Sequence, residues 1–507
     1  MRKIAAILLA LLLLCGCSDP SAYTPTGNGL DEAGMTQPTL LDGQQPQNFS
    51  LVYDPSQTLN PYTCTDQNNR LLFSLLYQGL FTINPDYEAE PQLCKSYSVS
   101  TDGRSYVFYV HPAKFSDGSY LTAADVVASL EAARSNAVYS GRLYNVQSVS
   151  LTGDGGVQVQ LATAYDNLPL LLDIPILPAS QVNADFPAGT GPYALLSGVS
   201  GRRLRLRQDW WCSAELPIDA KEISLVTAVT PKRIRDEFEL GDVGVVCADP
   251  SVESYVDFRC DYELWDCETG MFLYLGCRAK SSVFSKDAVR KALTHAINRE
   301  ALILEYYRTF ALPATLPVSS NSPYYNQALA EQYGYDAALF RQAVIDAGVE
   351  GKSVVILVNS ADGRRTRVAE GIAKMLEDCG LKTSIKAVTG SNYASALKNG
   401  QYDLHLGQTT LSPNMDLTPF FSSTGKLNYG GMSDADILAL CQDALANQGN
   451  YTALHRAVME DAMLCPVAFL SYAVYVQPGL VEDFAPARDH IFYYSLGKTL
   501  DEIRFKA

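Results

Sequence analysis

An α/β fold in two or more domains is the expectation for this chain, and three features carry it. At 507 residues it is longer than one hydrophobic core ordinarily supports. Its 47% hydrophobic and 19% charged residues are the composition of a folded globular protein. In the second half, "SVVILV" at 353–358 reads as a buried strand, "RRTRVAEGIAKMLEDCG" at 364–380 as a helix closed by Gly380, and "KTSIKAV" at 382–388 as another strand. "QYDLHLG" at 401–407 is a further strand, so this βαβ pattern predicts parallel pairing with right-handed crossovers.

The chain opens with Arg2 and Lys3, an apolar run over 4–14, and a small residue, Gly16, before Cys17. That is the layout of a cleaved export signal over 1–16. A spanning helix would need about 20 apolar residues. "LCGC" at 14–17 resembles a bacterial lipobox, whose cysteine is diacylated on sulfur and becomes the new N-terminus. Cys17 follows a glycine and fits that role, whereas Cys15 follows the bulky Leu14. Residues 17–45 are rich in Ser, Thr, Pro, Gly, Asn and Gln and read as a flexible, lipid-anchored linker.

Folded structure is expected from "FSLVY" at 49–53, a strand followed by a turn-rich loop over 54–67. Leu72, Leu75, Leu76 and Leu80 then recur at helical spacing. A loop between a strand's carboxyl end and a helix is a common ligand-facing position in α/β folds. Asp102-Gly103 separates two runs of β character and predicts a hairpin, and Asp117-Gly118 a second turn. Thr122 caps the next helix with Asp125 at its third position, and Val126, Val127 and Leu130 form the apolar face. "DAVRKALTHAINREALILEYY" at 287–307 reads as one helix with Val289, Leu293 and Ile297 on a stripe.

The net charge of −16 becomes −18 without Arg2 and Lys3, which argues against nucleic acid and against an anionic lipid surface. Membrane contact is therefore expected through the lipid only. Ten cysteines remain beyond Cys17, an even number that permits disulfides and is equally compatible with buried free thiols. The five histidines are dispersed without zinc-ligand spacing, and no G-x-S-x-G elbow, P-loop, H-E-x-x-H or C-x-x-C occurs. No enzyme activity, metal or cofactor is expected.

Five stretches, taken in order, carry a family resemblance: "LNPYTCTDQNNRLLFSLLYQGLF" at 59–81, "TDGRSYVFYVHPAKFSDGSYLTAADVVASL" at 101–130, "GTGPYAL" at 189–195, "DAVRKALTHAINREALI" at 287–303 and "YDAALFRQAVIDAGV" at 335–349. They resemble family 5 of the extracytoplasmic solute-binding proteins of ABC importers, which includes dipeptide, oligopeptide and nickel receptors. The resemblance implies a two-lobe, periplasmic-binding-protein-like α/β fold, type II in its large cluster C form, with a hinge of two crossing strands. The first lobe would comprise 46–80, 189–270 and 476–507, with an inserted subdomain at 81–188, and the second lobe 271–475. It implies a monomeric receptor, anchored by lipid on the extracytoplasmic face of the cell membrane, that delivers a peptide or peptide-like small solute to ABC permease subunits. A nickel, haem or oligosaccharide receptor of the same fold, or a sensing or adhesive lipoprotein, is the alternative.

Three loops are expected to line the ligand cleft. The first holds Tyr62, Thr63 and Asp66. The second, "NSADGRR", holds Asn359, Ser360, Arg364 and Arg365 at a helix start, where free N–H groups and the dipole suit an anion. The same two arginines read equally well as solvated residues of a first helical turn. The third, "GQTTLSPNMD", holds Gln408, Thr409, Thr410, Leu411 and Asp416. Peptide receptors of the family carry "GWxADY" here, with an aspartate that pairs with the ligand's amine. Gln408 stands in the tryptophan's place and Leu411 near the aspartate's, so that clamp is absent from its usual position. Asp416, five residues later, could substitute only with a rearranged loop.

Overall fold

A computed structural model describes residues 49–198, 201–216, 218, 220–249, 258–481, 486–487 and 490–492; the expected export signal, Cys17 and the 17–45 linker lie outside them. Among the described residues no helix is long and apolar enough to cross a membrane.

One mixed sheet organises the chain, and its middle consists of two long antiparallel strands, Glu263–Cys277 and Leu464–Val476. To one side lie Leu404–Thr410, Ser353–Asn359 and Lys382–Val388. The pairs Ser353↔Lys382 and Ile356↔Leu404 are parallel, as the βαβ pattern predicts, with the helix Gly363–Asp378 between the first two strands. To the other side lie Val245–Ala248, Ser50–Tyr53, Glu222–Thr227, Gly201–Leu206 and Tyr193–Gly198. A separate antiparallel sheet is built from Cys94–Val99, Ser105–Val110, Val157–Leu161 and Val146–Leu151.

Burial follows this division. A first core gathers Leu51, Leu76, Phe108, Val159, Trp210 and Leu225, and a second gathers Phe272, Leu293, Leu316, Ile356, Ile372 and Phe469. The two long strands pass from one core to the other. Met271–Cys277 pairs with Leu404–Thr410, while Ala473–Val476 pairs with Val245–Ala248. Between these halves the register slips from Glu268 to Met271. A bulge locally disrupts the ladder and bends the strand, and a second irregularity follows between Leu273 and Tyr274.

Local chemistry explains most element ends. Gly103 and Gly118 have φ of +66° and +87°, which tight turns require and other residues adopt at a cost. The helix Ala123–Ser135 begins in a capping box in which the Thr122 amide donates to Asp125 Oδ2 at 2.8 Å. The crossing at 189–193 passes so close to another segment that a Cβ on Gly189 would lie 1.9 Å from the Leu76 carbonyl oxygen. Buried Arg207 ties this crossing down by donating to the carbonyls of Gly189, Gly191, Lys114 and Phe115.

Two expected helices are interrupted. The leucine-rich stretch forms Gln67–Leu71 and Phe73–Leu76, and Tyr77 turns extended, so Leu80 reaches the core from outside a helix. The expected helix over 287–307 divides into Asp287–Ala296 and Arg299–Leu302, the latter running on as a π-helical turn over Ile303–Tyr307, because Asn298 caps the second segment and Arg299 turns into the core. All ten described cysteines are free thiols. Nine are buried; burial pushes the Cys94 thiol up to about 12, which keeps it protonated and unreactive.

Candidate functional site

A cleft of about 910 Å³ opens where the two cores face each other. One wall comes from Gln67, Arg70 and Phe73 on the short helices, the loop 137–144, and Asp173. The opposite wall is 409–412, Asp416, Thr418 and 422–427. Tyr472 of the crossing strand, His490 and Phe492 complete the lining. Lys426 Nζ reaches Ser140 Oγ on the facing wall at 3.4 Å, so the two walls touch directly.

Charge is unevenly compensated in this cleft. Arg142 pairs with Asp173 and lies over the Tyr139 ring at 5.8 Å, while His490 Nε2 approaches the other Asp173 oxygen at 4.0 Å. Arg70 and Lys426 have no carboxylate partner among the described residues. Asp416 is 6% exposed, and no lysine, arginine or histidine pairs with it among the described residues. Its Oδ1 accepts the Thr418 amide at 2.9 Å. Burial pushes its carboxyl above the ordinary range, with Thr418 and then Tyr144 acting in the opposite direction. Tyr144 stands on the facing wall, 47% exposed, where desolvation and then the Asp416 charge raise its phenol.

The expected ligand loops are placed differently from one another. Thr409, Thr410, Leu411 and Asp416 line the cleft. Gln408 stands off the wall, its Nε2 3.6 Å from Met271 Sδ. Tyr62 sits one layer behind: its hydroxyl donates to the Pro175 carbonyl at 2.6 Å, and its ring meets Tyr139 edge-on at 5.7 Å. Pro175 and Tyr139 themselves line the cleft. Asp66 accepts the Asn69 amide and caps Gln67–Leu71, while Thr63 is exposed beside it.

Asn359, Ser360, Arg364 and Arg365 do not line this cleft. The anion reading of that helix start meets a physical obstacle, because Asp362 accepts the Arg365 amide at 2.9 Å and pairs with the Arg365 side chain at 3.0 Å. A carboxylate already holds the place an anion would take. Arg364 is buried and donates to the Tyr306 carbonyl at 2.7 Å, so it is not solvated either. Asn359 caps its own turn by accepting the Ala361 amide, and the Ser360 amide donates to the Val388 carbonyl.

Sequence reasoning missed the loop 137–144 and the residues His490 and Phe492. "AVYSGRLY" carries only a generic loop signal, and His490 lies far along the chain from every other wall.

Comparison with known proteins agrees with this architecture. The family model described as "Bacterial extracellular solute-binding proteins, family 5 Middle" matches residues 88–430. The glutathione-binding protein GsiB of Salmonella typhi is 24% identical over 389 residues, covering 73% of this chain and 74% of that protein. The crystal structure of NikA from Brucella suis in complex with Fe(III)-EDTA superposes with a TM-score of 0.72 at 21% identity, covering 91% of this chain and all of that one. The oligopeptide-binding protein AppA of Bacillus subtilis, in complex with a nonapeptide, gives 0.63 at 19% identity, again over 91% and 100%.

Proposed function

Because the chain belongs to the bacterial extracellular solute-binding proteins of family 5, we propose that it captures a peptide-like solute in the cleft between its lobes and hands it to an ABC permease. The observation that carries the choice of solute is Asp416, a buried carboxylate on the cleft wall with no cationic partner. Burying an uncompensated charge is costly, and an ammonium group entering the cleft would supply the missing counter-charge. Arg70 and Lys426 offer a carboxylate the same service. An amine together with carboxylates is the chemistry of a small peptide. GsiB, by its name, binds glutathione, and AppA was seen with a nonapeptide, which supports this reading.

The lobes of this proposal are 46–80 with 189–270 and 476–507, carrying the inserted 81–188, and 271–475. The two buried cores follow that division apart from Tyr87, Leu445 and Val474, which supports it. The receptor acts as a monomer on the extracytoplasmic face, tethered by lipid on Cys17. Replacing Cys17 with alanine should release the protein from the membrane fraction without changing ligand affinity. Retention of the variant in that fraction would refute the tether.

Thermal-shift and calorimetric titration with di- to pentapeptides, each with a free or an N-acetylated amine, test the reading. A free-amine peptide at 100 times its dissociation constant should stabilise the protein by about 2.7 kcal/mol. Asp416→Asn should weaken that peptide by roughly 10- to 100-fold and the acetylated one far less. A response confined to sugars or metal complexes would overturn the peptide assignment.

A further inference from the structure

Tyr87 lies on the wrong side of the division between the cores. It belongs to the turn joining Phe81–Ile83 to Ala89–Pro91, a hairpin whose Phe81 and Ala89 pack on the first core. Its own ring is 3% exposed and packs within the second core. The backbone there is left-handed, with φ of +62°, a conformation an aromatic residue adopts only when its surroundings enforce it. Asn84 does the enforcing: its Oδ1 accepts the Asp86 and Glu88 amides, and its carbonyl accepts the Tyr87 amide at 3.0 Å.

The hydroxyl end of this ring reaches the bulge in the crossing strands. Tyr87 Oη donates to Glu268 Oε1 at 2.5 Å, and Glu268 is the residue at which the strand register slips. The same carboxylate accepts Ser319 Oγ at 2.5 Å and Asn321 Nδ2 at 2.9 Å, both from the second lobe. One half-buried carboxylate thus gathers a donor from the first lobe's hairpin and two from the second lobe beside the bend. A reciprocal insertion occurs elsewhere, where Leu445 of the helix Ala435–Ala446 packs in the first core while Ile437 and Ala444 of that helix stay in the second.

We propose that Tyr87 is a peg that sets the resting angle between the lobes, and that Glu268 is its seat. A turn held in a strained backbone conformation, to bury one ring in the neighbouring lobe, has no use in folding its own hairpin. Its effect is to favour the engaged arrangement of the lobes before any solute arrives, so that binding need select less of a minor state. Charge-assisted hydrogen bonds carry enough energy that losing one shifts such an equilibrium by about tenfold or more. The inference rests on the two-lobe receptor reading but is tested without a ligand, so its failure would leave that reading standing.

Small-angle scattering of the ligand-free full chain decides it, comparing wild type with Tyr87→Phe, Glu268→Gln and Tyr87→Ala. Wild type should scatter as the engaged arrangement, and each variant should gain radius of gyration through an open population raised about tenfold, most in Tyr87→Ala. Circular dichroism checks that the variants are folded. Should Tyr87→Ala misfold, the two milder substitutions still decide, since each keeps the ring or the hairpin intact. Unchanged scattering in folded Tyr87→Phe and Glu268→Gln, or a wild type already open, would overturn the proposal.

Discussion

Arg299→Met should lower the thermal unfolding midpoint of the second lobe by about 10 °C, through a loss of roughly 3 to 5 kcal/mol. Arg299 is 2% exposed and has no carboxylate within ion-pairing distance among the described residues. Burial depresses its pKa, and what keeps the charge tolerable is a shell of oxygens. Nε donates to the carbonyls of Ala314 at 2.7 Å and Pro466 at 3.1 Å, and Nη1 to those of Thr294 at 3.1 Å and Ile297 at 3.4 Å. Nη2 donates to Thr294 Oγ1 at 2.8 Å and to the Pro466 carbonyl at 2.9 Å. One side chain thereby ties the end of the helix Asp287–Ala296 to the crossing strand Leu464–Val476. Methionine fills much of the space but leaves these acceptors dry and unpaired. Arg299→Lys should rescue little, because a single ammonium cannot span the same fork of acceptors. Differential scanning calorimetry measures the shift, and a midpoint within about 2 °C of wild type would refute the account.

His455→Leu should make the same lobe less sensitive to acid than it is in the wild type. His455 is completely buried with neither ring nitrogen hydrogen-bonded among the described residues, and burial pushes its pKa down to about 3. His405 is 1% exposed, packed edge-on against Tyr274 and Tyr402, and burial lowers it to about 4. Both are neutral when folded, whereas an unfolded histidine takes up its proton near pH 6.5. Their contribution is complete above that value and is lost as pH falls toward 4 and 3, because only the unfolded chain gains the protons. At pH 5 the two together remove up to about 4 kcal/mol. Asp266 acts in the opposite sense, since burial raises it to about 6 and the folded state then binds the proton first below that pH. Burial raises Asp416 and Asp461 within the lobe as well, in the same sense as Asp266, so the histidine contribution is read from the difference between wild type and the variant. His455→Leu should therefore be spared about 2 kcal/mol of the acid loss that wild type suffers between pH 7 and pH 5, with no penalty at pH 7. Parallel pH profiles for the two proteins would contradict it.

The receptor reading explains why such a lobe would be built around buried, uncharged polar groups and a bulged seam. Closure needs each lobe to move as a unit, and dense cores on both sides of a single bulged strand pair provide that. The ladder is interrupted at Thr269 and Gly270. There, Thr269 Oγ1 donates to the Leu470 carbonyl at 2.5 Å, and the Leu411 amide donates to the Gly270 carbonyl at 2.8 Å. The second of these contacts links the bend directly to a residue of the cleft wall.

What was legible in the sequence is what depends on neighbours along the chain. Hydrophobic period, Gly turns and the Thr122 capping box predicted the βαβ unit, the 94–110 hairpin and the helix after 122, and all form as expected. The ordered motifs also carried the family, because such motifs are themselves local. The long helix expected over 287–307 is broken for a tertiary reason: nothing local shows that Arg299 faces inward to meet the Pro466 carbonyl 167 residues away. The cleft divides in the same way. The strand after 404 pointed to Thr409, Thr410, Leu411 and Asp416, whereas the helix start at 363 suggested an anion site that Asp362 already occupies. Only the tertiary structure placed Tyr144 opposite Asp416, brought His490 to the cleft, and carried Tyr87 across to Glu268. The physical reason is that each of these pairings is selected by packing and desolvation between segments 181 to 317 residues apart, and no propensity or period along the chain encodes which two surfaces will meet.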